Sequence, residues 1–545
     1  MAGLIGTART LARSISGAVQ RAVFPSGLEH YVYAVRQDAT TRNPVVVIHG
    51  IMGARLEQKE TGRVLWGGTD RSLFADPEKP EELRAVSFPM SDPGVPLSDR
   101  EDGVVATGSI HSFRATLAGL PLSVPAYGPI LDMLGVGGFL KEDDTPGLWG
   151  RLGDRFSERF GDRPHGSGSD TARGNARSNA RSSGDASLDY DHRSVANCFE
   201  FFYDWRRSVP DNAERLKRFI ENVLTFSRYD AKLPEDQRLK VDIVAHSMGG
   251  LLVRYFLRYG GERMPEDGSD LEVTWEGSKL VENAILVGTP SAGSLMGVEK
   301  HLGGLTPTPA TPGYPAGLLN TFPAIYQLMP RSRHERVVDR DTGEPLDLYD
   351  VELWRRMQWG LFEPGAADVR AALLPDAPSD AARLEMAAAH VDACLHDAAQ
   401  FHRHMDRPAR LPDETALHLF AGDGVKTPAL LEVGPRGHQR VVASDLGDGT
   451  VIRASALMDE RPSREVYPRL ITPIHWTSVS FVPAPHMVLT RHPSFINNAL
   501  YILLEKPRPG RSYAEGSLGL EETLRNPDRC GDDSGVEEHS EPRAD

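Results

Sequence analysis

"VDIVAHSMGGLLVRYFLRYG" runs from Val241 to Gly260. Its first residues are strand-forming, and from about Met248 apolar residues recur at helical spacing. Between the two sits Ser247, with small residues two places to either side, Ala245 and Gly249. A strand, a serine with small flanks and a helix predict the nucleophile elbow, usually written G-x-S-x-G. Bulky neighbours would clash in such a turn, and the serine hydroxyl stands exposed above the sheet edge. Ala245 replaces the first glycine, a departure that a methyl group can satisfy. The helix that follows supplies backbone N–H groups and the positive end of its dipole.

Outward from this stretch lie other short strand-like apolar runs, "PVVVIHG" at 44–50, "NAILVGTP" at 283–290 and "ALHLFAGDG" at 416–424. Continuous apolar strands separated by helical stretches predict an α/β fold, a mostly parallel sheet with helices on both faces. Helices are expected at 211–226, with Asp211 as N-cap, and at 379–405, where Leu384, Val391, Cys394 and Leu395 recur near helical spacing. The second lies in a span without strand runs, roughly 295–410, which reads as a mostly helical cap.

An exposed serine becomes a nucleophile only beside a base, and the base needs an orienting acid. This kind of fold supplies them in the chain order serine, acid, histidine. Downstream, "DLGDGTV" carries Asp448 in a glycine-flanked loop and "VPAPHMVLTRHPSFINNALYILL" carries His486 shortly before a helix. Asp423 and Asp445 are rival acids, and His475 and His492 rival bases. The tetrahedral oxyanion also needs donors. The run "VVVIHGIMG" ends a strand at His49-Gly50, after which the N–H of Ile51 can approach a substrate oxygen because Gly50 has no side chain in the way. The N–H of Met248 is its expected partner.

Composition bounds the rest. Hydrophobic residues make up 40% and charged residues 25% of 545 positions, values that suit a globular enzyme-sized core. The net charge of −15 argues against nucleic acid as a partner. Cys198, Cys394 and Cys530 lie far apart and form no metal or disulfide pattern, so a reducing, cytoplasmic setting is the plain reading. The histidines of "HDAAQFHRH" (396–404) do not share one helical face, and they read as surface residues rather than metal ligands; neither metal nor cofactor is expected.

The chain divides into an N-terminal amphipathic segment (1–42), a core (43–505) with cap or lid insertions at about 55–200 and 295–410, and an acidic tail (506–545) expected to be unstructured. Residues 162–187 contain no large apolar side chain and read as a disordered loop. In the first segment Leu4, Leu11, Ile15 and Val19 share a helical face away from Arg9, Arg13 and Arg21. Peripheral membrane contact, organelle targeting and packing on its own domain all fit that pattern. No stretch approaches 18 apolar residues.

Taken together, these blocks resemble the lecithin:cholesterol acyltransferase family, with its phospholipid:diacylglycerol acyltransferase and lysosomal phospholipase A2 relatives, within the α/β-hydrolase superfamily. The resemblance rests on "HGIMGARLEQKETGRVLWGG" (49–68), "YGPILDMLGVGGFL" (127–140), "FFYDWRRS" (201–208), "AHSMGG" (245–250), "VGTPSAGS" (287–294), "GDGTV" (447–451) and the His486 segment. It implies Ser247 as nucleophile, Asp448 as acid, His486 as base and Ile51 with Met248 as oxyanion donors. It also implies that His49, Gly50, Asp204, Trp205 and Arg206 border the substrate; the alternative for the last three is packing of core and cap. Two departures stand out: three scattered cysteines cannot reproduce the disulfide-closed lid of secreted members, and the insertion from about Glu142 to Ala196 has no recognised counterpart.

The activity implied is a serine-dependent acyltransferase or lipid acyl hydrolase acting on a phospholipid or other lipid ester. A carboxylesterase or lipase without transfer, and a hydrolase fold kept as a binding module, are the alternatives.

Overall fold

The computed structural model describes residues 43–67, 76–90, 94–110, 112–117, 120–125, 198–230, 238–306, 313–462 and 466–505. The N-terminal segment 1–42, the 127–140 block, the whole insertion 142–196 with its loop 162–187, and the tail 506–545 lie outside them.

Among the described residues six strands form the central sheet: β1 (Val45–Ile48), β2 (Cys198–Phe201), β3 (Val241–His246), β4 (Val281–Val287), β5 (Ala416–Gly422) and β6 (Ser478–Val482). They lie in the order β6-β5-β4-β3-β1-β2, and every neighbouring pair is parallel. Ile48 pairs with Ala245, which sets the C-terminal ends of β1 and β3 side by side. Chain order and sheet order diverge at β1, so the crossovers send helices to both faces. Side chains alternate accordingly. Val46, Ile48, Ile243 and Ala245 point into one core cluster with α1 (Val209–Asp230) and α2 (Met248–Tyr259). Val45, Val47, Val244 and Ile285 point into a second, closed by Phe495, Ile496 and Leu500. This is the α/β-hydrolase fold expected from the motifs.

The insertions are less uniform than the sequence implied. The 295–410 span is mostly helical, including α3 (Leu295–Gly303) and α4 (Asp380–Asp406), but it holds a short strand, Val337–Asp339, which pairs with Val425–Val433. Part of the 55–200 span is an antiparallel sheet of Ala54–Gln58, Val64–Trp66 and Val104–Ser109. Asp211 is not the N-cap of α1, because the helix begins at Val209 and Pro210 occupies its first turn, where a missing N–H costs nothing. Ser379 does cap α4, accepting from the N–H of Ala382.

Helix α4 ends against α2. Arg254 Nη2 donates to the carbonyl of Met405 (3.1 Å), Arg258 Nη2 to that of Arg407 (2.5 Å) and the Tyr259 hydroxyl to that of His404 (2.8 Å). Three side chains of one helix thus satisfy carbonyls that the last turn of the other leaves without intrahelical partners. Among the described residues no helix is long and apolar enough to cross a membrane.

Candidate active site

Ser247 follows β3 directly and precedes the first residue of α2, with φ 55° and ψ −125°. A positive φ is strained for a side-chain-bearing residue and persists only where its surroundings hold it. Here the Ser247 N–H donates to the Val287 carbonyl at 2.8 Å and the Ser247 carbonyl accepts from Gly250 N at 3.0 Å. Gly249 meets the neighbouring turn so closely that a Cβ would lie 2.5 Å from the His49 carbonyl oxygen. Small residues at this spacing are therefore a packing requirement.

His486 and Asp448 reach the serine from separate loops. Asp448 follows the strand Gln439–Gly447, and His486 opens a 3₁₀ turn shortly after β6. The Ser247 hydroxyl lies 2.9 Å from His486 Nε2, and His486 Nδ1 lies 2.8 Å from Asp448 Oδ2. A carboxylate only accepts, so Nδ1 carries the proton and Nε2 is left to accept from the serine. Asp448 Oδ1 accepts from the N–H groups of Thr450 (2.9 Å) and Val451 (2.7 Å), and its backbone carbonyl accepts from His486 N (2.8 Å). Burial pushes the Asp448 carboxyl upward, yet the nearby imidazole and these hydrogen bonds outweigh it and leave the group below its ordinary value.

Two further histidines border the site, and both are held neutral. Burial lowers His49 to about 4 and, with the charge of His486 added, His246 to about 3. The His49 ring stacks on Tyr203 at 4.3 Å with 4° between planes. Its Nδ1 donates to the Gly50 carbonyl (2.7 Å) and its Nε2 accepts from Tyr203 N (3.3 Å). It shapes the turn that carries Gly50 and Ile51, with both ring nitrogens bonded to backbone groups. The close approach of Gly249 to His49 brings the Ile51 turn against the start of α2, where Met248, as first helical residue, has an N–H without an intrahelical acceptor.

Asp204, Trp205 and Arg206 have structural surroundings. Arg206 and Asp204 are fully buried; Arg206 donates from Nε and Nη2 to Asp204 (3.0 and 2.7 Å), from Nη2 to Asp102 (2.6 Å) and from Nη1 to the carbonyls of Val86 and Ser87. Trp205 donates to the Ala54 carbonyl and packs edge-on to Trp66 and Phe322. These side chains fasten the insertion to the core, partners that favour the packing alternative for them.

The rival acids and bases stand outside this series. Asp423 pairs with Arg453 at 2.7 Å, Asp445 accepts from Leu446 N on an exposed strand, His475 is exposed and His492 accepts from Ser494 N at the start of the final helix. The 396–404 histidines are not all on the surface: His402 and His404 are buried, the first bonded to Gln327 and Tyr349, the second to Gln400 and Leu271. Among the described residues no group of three or more His, Cys, Asp or Glu is placed to hold a metal. His246, which sequence reading passed over, was visible only as the residue before the serine.

Comparison with known proteins adds a partial match. Residues 192–359 match the lecithin:cholesterol acyltransferase family. The match takes in the Y-D-W-R, AHSMGG and VGTPSAGS blocks, whereas the Ile51 turn, Asp448 and His486 lie outside it and join only through the fold. The lecithin:cholesterol acyltransferase match supports a lipid acyl hydrolase or acyltransferase type of activity. Among solved structures the chain is similar to the crystal structure of the Tle4-Tli4 complex, with 17% identity over 85% of this chain and 98% of that one and a TM-score of 0.48. It is also similar to the Bacillus licheniformis lipase BlEst2 in its propeptide form, with 12% identity over 58% and 45% of the chains and a TM-score of 0.26. No curated protein matches.

Proposed function

We propose that this chain is a serine-dependent lipid acyl hydrolase or acyltransferase that works through an acyl-serine intermediate. The observation that carries the reading is the series Ser247 Oγ, His486 Nε2, His486 Nδ1, Asp448 Oδ2, with hydrogen bonds of 2.9 and 2.8 Å. His486 takes the proton of Ser247 as the alkoxide attacks the acyl carbonyl, and the resulting imidazolium is steadied by Asp448. The N–H groups of Ile51 and Met248 receive the oxyanion, whose stabilisation by such donors is typically worth about 3–4 kcal/mol each. His486 then hands the proton to the departing alcohol, and water or a second alcohol takes the acyl group from Ser247. Nothing in these residues separates hydrolysis from transfer, since that choice rests on which hydroxyl the cap admits. The substrate class follows the family match: a phospholipid or another lipid ester.

The test is twofold. A fluorophosphonate probe is expected to label the folded wild type and not Ser247→Ala; equal labelling of both, or none of the wild type, would refute the reading. Incubation with a radiolabelled phospholipid, with and without a sterol or diacylglycerol, then separates the outcomes: free fatty acid throughout means hydrolysis, a new ester only with the alcohol means transfer.

A further inference from the structure

His246 adjoins Ser247 in the chain and His486 in space, so it touches both halves of the proposed machinery. Its Nε2 lies 3.2 Å from the backbone carbonyl of His486, and the two ring centroids are 4.7 Å apart with planes tilted by 45°. A carbonyl only accepts, so His246 carries its proton on Nε2 and donates it. The His486 backbone is thus held at both ends: its N–H by the Asp448 carbonyl at 2.8 Å, its C=O by His246. A further restraint comes from Gly288, where a Cβ would lie 3.1 Å from His486 Cε1 and Nδ1, so the imidazole packs directly on that backbone.

We infer that His246 is a positioning residue for His486, fixing the base's backbone so that its Nε2 faces the serine. The inference rests on the proposed function. Reach alone would not require it, because Asp448 already orients the His486 ring. What the carboxylate cannot fix is the height of the loop above β3, and a hydrogen bond from the residue next to Ser247 ties that height to the serine's own backbone. Displacement of a reacting group by about 1 Å can cost on the order of 100-fold in rate. The titratable groups near this pair include His49 and Asp448. Burial and the charge of His486 keep His246 neutral, so it adds no positive charge beside the imidazolium that forms during the reaction.

The experiment compares wild type, His246→Phe, His246→Gln and Ser247→Ala. Phenylalanine fills the space without the donor, while the amide of glutamine places an N–H close to where Nε2 stood. With a soluble ester, His246→Phe is expected to lower kcat about 10- to 100-fold with KM within about twofold, and His246→Gln to restore most of the loss. Proton NMR supplies a readout that needs no turnover: the downfield signal of the His486 Nδ1–H bonded to Asp448 is expected in wild type and His246→Gln and to broaden or vanish in a His246→Phe that remains folded by circular dichroism. Wild-type kcat and an unchanged downfield signal in His246→Phe would overturn the inference, as would failure of glutamine to rescue either readout. Loss of Ser247-dependent turnover in the wild type itself would overturn the functional reading, and the NMR comparison would still decide the positioning role.

Discussion

Gly249 and His49 are in direct apposition: the Cα of one leaves no room for a methyl group before the carbonyl oxygen of the other, 2.5 Å from where a Cβ would sit. This single contact joins the turn after β1 to the start of α2, and with them the two N–H groups proposed to receive the oxyanion. Gly249→Ala is therefore expected to push the two turns apart. Overpacking of this kind costs about 1–3 kcal/mol, read as a lower urea midpoint, and the fluorophosphonate labelling rate of the folded fraction should fall at least about tenfold through loss of oxyanion donors. A labelling rate equal to wild type would show that the contact does not govern the site.

Asp448→Asn tests the orienting acid. An amide in place of the carboxylate can present its N–H to His486 Nδ1, which then accepts, and the proton moves to Nε2 where it faces the serine uselessly. The labelling rate should drop by about 10³- to 10⁴-fold with the fold retained. A loss below about tenfold would assign the acid elsewhere.

Arg206 is fully buried and bonded to Asp204 and Asp102. Arg206→Met should cost about 3–5 kcal/mol in denaturant unfolding, because it strands the Asp204 carboxylate in the interior. Measured well below the unfolding temperature, the labelling rate per folded molecule should stay within about threefold of wild type. A selective loss of turnover without loss of stability would instead return Arg206 to the substrate.

Asp397 on α4 is half-buried and accepts from the Ser208 hydroxyl and from Gln327 Nε2. Burial, reinforced by the charge of Asp211, lifts it to about 7 from an ordinary 3.8. Between those values the folded chain keeps a proton that the unfolded chain has lost, so this group's contribution falls as pH rises from about 4 to 7. Asp397→Asn is expected to raise stability at pH 8 by on the order of 2 kcal/mol and to change little at pH 4. Thermal unfolding at both pH values checks this; an equal gain at both would exclude the titration as its cause.

What could be read from the sequence followed from burial on both faces. Strands β1, β3, β4 and β5 announce themselves as apolar runs, β-branched in the first three, because both their faces are covered. The outer strands β2 and β6 do not: Glu200 interrupts "CFEF", and "SVSFV" is an edge strand with Phe481 partly exposed. The serine, its small flanks and the order of acid and histidine were legible because a strained turn and a fixed topology restrict residue type. His402 and His404 were misread because α4 is packed on several sides, and a helix covered that way shows no clean polar stripe. No spacing rule could have told Asp204 and Arg206 as fasteners from Asp204 and Arg206 as substrate contacts, since the distinction lies in partners such as Asp102 and Ser87 that are remote in the chain.

The termination of α4 on Arg254, Arg258 and Tyr259 makes that end of the cap an abutment. Lifting it would break three hydrogen bonds, two of them charge-assisted, and would bare guanidinium groups that are now almost wholly enclosed. Arg254, Arg258 and Tyr259 all lie on α2, which begins at Met248, so this end of the cap and the backbone beside the serine are joined by one helix. The helix behind Ser247 is thereby braced along its far half, and the serine stands at the near end of a member that the cap holds in place.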